Sequence, residues 1–433
     1  MILIVNLLVI VLFLTVLIPC TSQYGNKLWT KLSGSPDSIS GGNGVAVDTN
    51  GNVYVTGYIN AALDGQANSG DIESTTDIVL MKYSNAGTKL WTRLTGTAGN
   101  DVGNGVAVDT TGNIYVTGYV TGVLDFQPFY GGSDICLIKY DSSGSKLWSR
   151  VSGSTGHDFG TGIAVDTTGG NIFITGFVSN ALDGQTFTGG YDIVLIKYNS
   201  TGHKQWTRLK GSNGGGVDYA YGIGTDTLGN VFITGHVSGS VDGQTYTGGL
   251  FDIILMKYNS TGSRIWTKLT GTPDDEYSLG LAVDPSGFVY LCGSVLGSID
   301  GALHNGDIDI LLMKYNSTTG NKVWTTLAGS AGNDYGLAVT VDTSKNVIVS
   351  GFVNAALDNE TYAGGLFDMV VIKYNSSGNK IYSRLLGNTS TDWAYALSPD
   401  SSGNVFVTGS VSGNLENEMK AGRTDIVLVK YSP

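Results

Sequence analysis

One heptapeptide returns seven times along this chain at an almost fixed step. Asp-Ile-Val-Leu-Met-Lys-Tyr begins at Asp77, and its variants begin at Asp134, Asp192, Asp252, Asp309, Asp368 and Asp425, in steps of 57 to 60 residues. A repeat of that length is one supersecondary unit, and such a unit covers its apolar faces only by stacking on its neighbours. The period therefore restricts the fold to an array of stacked units before any other residue is considered.

The same grammar recurs around each heptapeptide. A short strand of small residues comes first (Gly44-Val-Ala-Val-Asp48, then residues 105–109, 162–166 and 280–284) and leads into turns such as Asp-Thr-Thr-Gly-Asn. Gly supplies a positive φ there, and the Asp or Asn caps its own backbone. The next strand, Val53-Tyr-Val-Thr-Gly57 and its copies, is apolar on both faces, as is the heptapeptide strand with Ile253, Ile254, Leu255 and Met256. That pattern means a strand covered on both sides. The fourth strand, Leu90-Trp-Thr-Arg-Leu94, alternates and carries a basic residue, as an edge facing solvent should. Four antiparallel strands, buried in the middle and polar at one edge, make a propeller blade. An open sandwich would show one polar face per strand, and these strands do not.

The Trp strand also occurs seven times, at Trp29, Trp91, Trp148, Trp206, Trp266, Trp324 and, as a tyrosine, Tyr382. Its first copy precedes the first complete blade, and the sequence stops at Pro433 just after the last Lys-Tyr. The predicted fold is therefore all-β: a single seven-bladed β-propeller of four-stranded antiparallel blades over residues 23–433, with residues 27–32 supplying the outer strand of the last blade. Pairing the two ends in this way closes the ring.

Gly-Asn-Val-Tyr-Val-Thr-Gly-Tyr, Asp-Ile-Val-Leu-Met-Lys-Tyr and Gly-Thr-Lys-Leu-Trp, read together, resemble the repeats of the seven-bladed beta-propeller (SBBP) family. The resemblance covers essentially all of residues 23–433 and implies the fold and the number of blades. It implies no particular activity. The turn Asn316-Ser-Thr-Thr-Gly-Asn-Lys-Val-Trp324 is also similar to the tryptophan docking motif of quinoprotein dehydrogenases, but the eight blades and vicinal disulfide of those enzymes are not matched.

Residues 2–18 are apolar and uncharged, and Pro19, Cys20 and Ser22 follow. This is the form of a secretory signal cleaved after Ser22, with a retained anchor as the alternative; Pro19 ends the run and no basic flank follows it. The expected location is secreted or at the cell surface, as a monomer, with no membrane span after cleavage. The net charge is −12 and no Lys/Arg cluster is present, which argues against nucleic acid as a partner. Cys136 and Cys292 lie in apolar strand sequences three blades apart and read as buried free thiols.

Two series of aspartates carry the strongest chemical signal. Asp101, Asp158, Asp218, Asp275, Asp334 and Asp392, with Asp37 as the counterpart in the first copy, lie in the loop that opens each blade. Asp64, Asp125, Asp183, Asp242, Asp300 and Asp358 lie between the second and third strands. Both loops leave an up-and-down blade at the same end, so two rings of carboxylates are expected there. Such rings suit calcium, a cation or a hydroxyl-rich glycan; the plainer reading is that each Asp caps its own turn. No organic cofactor is implied. At the other end, the Lys before each Tyr (Lys82 to Lys430) is expected to pair with the Asp ending each first strand, such as Asp109 and Asp166, or to snorkel to the rim, with a basic binding ring as the alternative.

Enzymatic constellations are thin. His157, His203, His236 and His304 show no metal-ligand spacing, and no Gly-x-Ser-x-Gly elbow, His-Glu-x-x-His or phosphate loop is present. The expected function is a non-catalytic binding or scaffold module for an extracellular protein or glycan. The alternative is a carbohydrate-active hydrolase or lyase using the loop aspartates. Sequons occur at Asn199, Asn259, Asn316, Asn359, Asn375 and Asn388, and four of them fill the turn between the third and fourth strands.

Near-identical blades place a binding site where the copying fails. The loop between the second and third strands departs most at residues 66–76, at Phe126-Gln-Pro-Phe-Tyr130 and at residues 415–420, in three blades contiguous around the ring. Phe126, Phe129 and Tyr130 suit ligand stacking or a protein hot spot.

Overall fold

The computed structural model describes residues 25–70, 74–166 and 170–433. The signal segment and part of the loop at residues 66–76 lie outside the described residues. All regular structure among the described residues is β, in seven antiparallel sheets of four strands. Strands are counted outward from the ring axis. In blade one they are Ser40–Val47, Val53–Ile59, Asp77–Tyr83 and Lys89–Thr95. Five more blades follow in chain order. The seventh takes Asp392–Pro399, Val405–Val411 and Asp425–Tyr431 from one end of the chain and Lys27–Ser33 from the other. Trp29 stands opposite Lys430 and Ser33 opposite Ile426.

This seam reproduces the turn that the other blades make with continuous chain. In blade one, Ser84 N–H donates to Thr88 O at 2.8 Å and Thr88 N–H to Ser84 Oγ at 3.2 Å. At the seam Ser432 N–H donates to Asn26 O at 2.8 Å and Asn26 N–H to Ser432 Oγ at 3.0 Å. Gly25 then lies against the ring of Tyr382, as Gly87 lies against Trp29. Trp and Tyr in the fourth strand thus act as washers between blades, and any side chain on that glycine would enter the ring.

The core is divided among the blade interfaces. Seven apolar clusters occur among the described residues, and each joins two adjacent blades: Val53, Val55 and Met81 of blade one meet Phe406, Ile426 and Leu428 of blade seven. Doubly apolar strands are required because each sheet packs on both sides. The Gly of every Val-Thr-Gly is fixed by close approach: a Cβ on Gly57 would penetrate the carbonyl oxygen of Gly41 in the first strand. Cys136 and Cys292 are free and buried in these clusters.

The structure corrects the expectation that both Asp series share one end. Each loop after the second strand folds back along the blade, because its Leu63, Leu124, Leu182, Val241, Ile299, Leu357 or Leu415 is buried in an interface cluster. The next residue then meets the outer strand. Asp64 accepts from Lys89 Nζ at 2.7 Å and from Thr92 Oγ1 at 2.5 Å, and Asp125, Asp183, Asp300 and Asp358 pair likewise with Lys146, Lys204, Lys322 and Lys380. Asp242 meets Arg264 and Lys210.

The lysine series keeps the expected pairing in part. Lys373 reaches Asp342 at 3.0 Å and Lys257 lies 3.9 Å from Asp226. Elsewhere the lysine clamps the next blade: Lys82 Nζ lies 5.2 Å from the Tyr54 ring centroid and donates to Ser142 O at 3.1 Å. The Asp ending the first strand serves its own turn, as Asp48 does for Asn50, Asn52 and the Tyr54 hydroxyl.

Candidate functional site

The blades are least alike at the end of the ring where the opening loops emerge. Every first strand carries a bulge there, and the seven bulged residues are Asn43, Asn104, Thr161, Tyr221, Leu279, Leu337 and Tyr395. A bulge re-aims one side chain out of the pleat, and these seven line the mouth of the central channel. With Phe159 and Phe177 they enclose a cavity of about 470 Å³. One side of the mouth is polar and self-satisfied: Asn104 Nδ2 donates to Gly160 O at 2.8 Å, Thr161 Oγ1 to Ala220 O at 2.7 Å, and Asn43 Nδ2 to Gly103 O at 3.1 Å. The other side is aromatic and aliphatic.

An aromatic band spreads outward from that side. Phe159 lies 5.1 Å from Phe177, which meets Tyr219 at 4.8 Å and Tyr221 at 6.1 Å between ring centroids. Tyr219 leads to His236 at 5.4 Å, and His236 to Phe251 and Tyr277 at 4.7 and 5.1 Å. A second patch joins Tyr335, Phe352, Phe367, Trp393 and Tyr395. Apart from the buried His236, these rings are half-buried, so each keeps part of its surface in solvent. The same positions in blade one hold Gly41, Tyr58 and Thr76, so the band is confined to part of the circle. Burial holds His236 down to about 4, so its ring is neutral at physiological pH.

Beneath the band lies a ring of inward-turned carboxylates. Asp101, Asp158, Asp218, Asp334 and Asp392 are 0% exposed and cap the opening loops. Asp218 accepts from Ser212 N–H at 2.6 Å and Ser238 N–H at 3.2 Å, and Asp392 from Asn388 N–H and Nδ2 at 2.7 and 2.8 Å. Asp101 takes the Thr97 and Thr121 N–H groups, Asp158 takes Ser154, and Asp334 takes Ser330. Blade five departs from the expectation: Asp275 is half-buried beside Tyr277, and the residue paired in register with Val295 is Glu276. In blade one the register position belongs to Ser40, and Asp37 stands outside the strand.

Each of these acids faces the Asp that opens the third strand of the preceding blade. Asp309 Oδ1 and Asp334 Oδ2 both flank Gly329, as Asp77 and Asp101 flank Gly96. Burial first, then like charge, pushes Asp101, Asp334 and Asp392 up to about 6 and Glu276 to about 7. On the partner side, Oδ1 of Asp77, Asp134, Asp252, Asp309 and Asp368 is buried without a hydrogen-bond donor. Below the raised value of the paired acid, a proton held by either carboxyl would supply that donor. No group of three or more His, Cys, Asp or Glu side chains placed to hold a metal occurs among the described residues.

The other residues that the sequence singles out lie elsewhere on the surface. Phe126 is 100% exposed at a φ of 59°, Tyr130 is 50% exposed, and Phe129 is half-buried. Tyr130 N–H donates to Asp134 Oδ2 at 2.6 Å. Asn199, Asn259, Asn316 and Asn375 cap the turns at the opposite end through Oδ1. Asn359 is exposed, whereas Asn388 commits its amide nitrogen to Asp392.

Four stretches, residues 28–63, 90–124, 205–239 and 381–416, match the model of the SBBP beta-propeller repeat. The chain carries beta-propeller repeats of the SBBP type. The repeat frame starts on an outer strand and ends within two residues of the buried aliphatic residue of the next blade, so one repeat straddles a blade interface. Among curated proteins the chain is 24% identical over 449 residues to an uncharacterized WD repeat-containing protein, L264, of Acanthamoeba polyphaga mimivirus, covering 90% of this chain and 30% of that one. It is 27% identical over 168 residues to the regulatory protein FlaEY of Caulobacter vibrioides, covering 36% and 18%. The chain thus spans under a third of either relative. Among solved structures, the polysaccharide lyase Uly1 is similar with a TM-score of 0.51 at 10% identity, covering 90% of each chain. A chain of the mitotic checkpoint complex is similar with a TM-score of 0.50 at 11% identity, covering 99% of each. At those identities the likeness is one of fold.

Proposed function

We propose that this propeller is a non-catalytic binding module, secreted or displayed at the cell surface, that takes a protein or glycan on the aromatic end of its ring. The observation that carries this reading is the asymmetry of that end. The scaffold positions repeat in every blade, while the bulge residues and the band from Phe159 to Trp393 change from blade to blade. Solvent-facing aromatics around a concavity are what binding energy concentrates on. A hydrolase would need two carboxylates at the ligand roughly 5–10 Å apart, and the opening-loop acids direct their oxygens at loop N–H groups instead. The likeness to a WD repeat-containing protein supports an interaction role. Occupied sequons at Asn199, Asn259, Asn316 and Asn375 would shield the opposite end, leaving the aromatic end open.

The test is capture from extracellular fluid, run beside a glycan array, with wild type and a Tyr219→Ala/Trp393→Ala variant. Binding is expected for wild type and is expected to fall at least tenfold in the variant, which should stay folded with a melting temperature only a few degrees lower. Capture that survives loss of both rings would place the binding surface elsewhere.

A further inference from the structure

The mouth sits in an unbalanced electric field. The inner-strand acids Asp158, Asp218, Glu276, Asp334 and Asp392 each stand three residues before a mouth-lining residue, roughly 10 Å away along the strand. Asp274, Asp275 and Asp307 add further carboxylates to the loops at this end. Cations on these loops are few among the described residues. Lys210 is paired with Asp242, and Lys420 and Arg423 lie together in blade seven, where Lys420 Nζ donates to Arg423 O at 2.9 Å. A low-dielectric cavity rimmed by one sign of charge concentrates counter-ions of the other.

The lining selects among cations. A primary ammonium needs three hydrogen-bond acceptors converging on it, whereas the polar bulge residues Asn43, Asn104 and Thr161 are tethered along one wall by donating to Gly103, Gly160 and Ala220. What the cavity offers instead is ring surface from Phe159, Phe177, Tyr221 and Tyr395. Burial pushes the phenol of Tyr221 up to about 12, and that of Tyr395 also upward, so both remain neutral rings at physiological pH. Faces of Tyr and Phe around a concavity attract a cation whose charge is spread over methyl groups and which asks for no hydrogen bonds.

Deepening the reading of this end as a binding face, on which it rests, we propose that the channel mouth is an aromatic cage for a quaternary ammonium group, with the trimethylammonium head held among Phe159, Phe177, Tyr221 and Tyr395. The ligand class is a choline-type or trimethylated amine, free or carried on a larger partner.

The experiment is isothermal titration of the folded chain at low ionic strength with choline chloride and, separately, with 3,3-dimethylbutan-1-ol, its neutral isostere. Choline is expected to bind in the millimolar range or tighter. The isostere should bind at least tenfold more weakly, and added salt should weaken choline alone. Tyr221→Leu and Tyr395→Leu keep apolar bulk, and each should weaken choline by about 3- to 30-fold with an unchanged melting temperature; Phe126→Ala should have no effect. Equal affinity for the isostere, or choline binding indifferent to both leucine variants while they remain folded, would overturn the cage. If choline fails to bind while a captured partner still depends on Tyr219 and Trp393, this inference falls and the binding face stands. If neither dependence appears, both fall.

Discussion

Replacing Asp309 by Asn should make the protein more stable, although the change removes a buried charge that occupies the same position in every blade. Asp309 Oδ2 accepts from Asn305 N–H at 2.8 Å, while Oδ1 is buried without a donor and shares the space beside Gly329 with Asp334. An amide nitrogen at the Oδ1 position would donate to Asp334, and one of two like charges would be gone. A hydrogen bond to a charged group contributes about 1.5–3 kcal/mol, so Asp309→Asn should stabilise by about 1–3 kcal/mol at pH 8. Near pH 5 the wild-type pair already holds a proton that does the same work, and the gain should shrink toward zero. The sign follows from linkage. Asp334 titrates at about 6 in the folded chain, above its ordinary value of 3.8, so between those values the folded state holds more protons than the unfolded one. Stability is therefore full below the lower value and is lost as pH rises through the upper one. With about 2.1 cal/mol/K of unfolding entropy per residue, a chain of this size moves by about 1 °C per kcal/mol, and calorimetry at both pH values resolves that. A lower melting temperature for Asp309→Asn at pH 8, or an equal gain at both pH values, would refute the shared proton.

Further outcomes are expected. Deleting residues 25–33 bares the third strand of blade seven and should abolish cooperative unfolding near the wild-type temperature. Trp29→Ala, at a half-buried washer, should cost only about 2–3 kcal/mol. Leu182→Ala should cost about 2–5 kcal/mol, because Leu182 pins the back-folded loop, whereas Phe129→Ala with Tyr130→Ala should change stability by under about 1 kcal/mol; chemical denaturation separates the two. A circular permutant joined across the seam by one residue between Pro433 and Gly25, with new ends between Ser143 and Gly144, should keep the wild-type melting temperature; a loss of more than a few degrees would contradict the split-turn description. Cys136 and Cys292, whose thiols burial pushes upward, should resist a thiol reagent until the chain unfolds.

The ring is legible in the sequence because its signals repeat. Apolar residues on both faces of Asp77–Tyr83 and the turn grammar around Gly87 appear again in other blades, so a chance match in one copy is outvoted by the rest. Sameness between copies also conceals the site. Phe159, Tyr219, Tyr277, Tyr335 and Trp393 follow the buried acid in their blades, but Val102 and Gly41 break the series, and differing residues read as drift. Matching by residue type selects Asp275, whereas strand register selects Glu276. The second Asp series lies on a different part of the blade from the one expected because Leu63 and its counterparts, loop residues by sequence, belong to the core. A recurrent aliphatic residue immediately before each of those aspartates is the sign that the loop is anchored there.

Hydrogen–deuterium exchange on the folded chain, with and without the partner recovered by capture, asks directly whether the aromatic end is the working surface. Protection should appear in peptides holding Phe159 to Thr161, Tyr219 to Tyr221 and Trp393 to Tyr395, with the turns at Asn199 and Asn259 unchanged. Protection confined to those turns, or to residues 126–130, would contradict it.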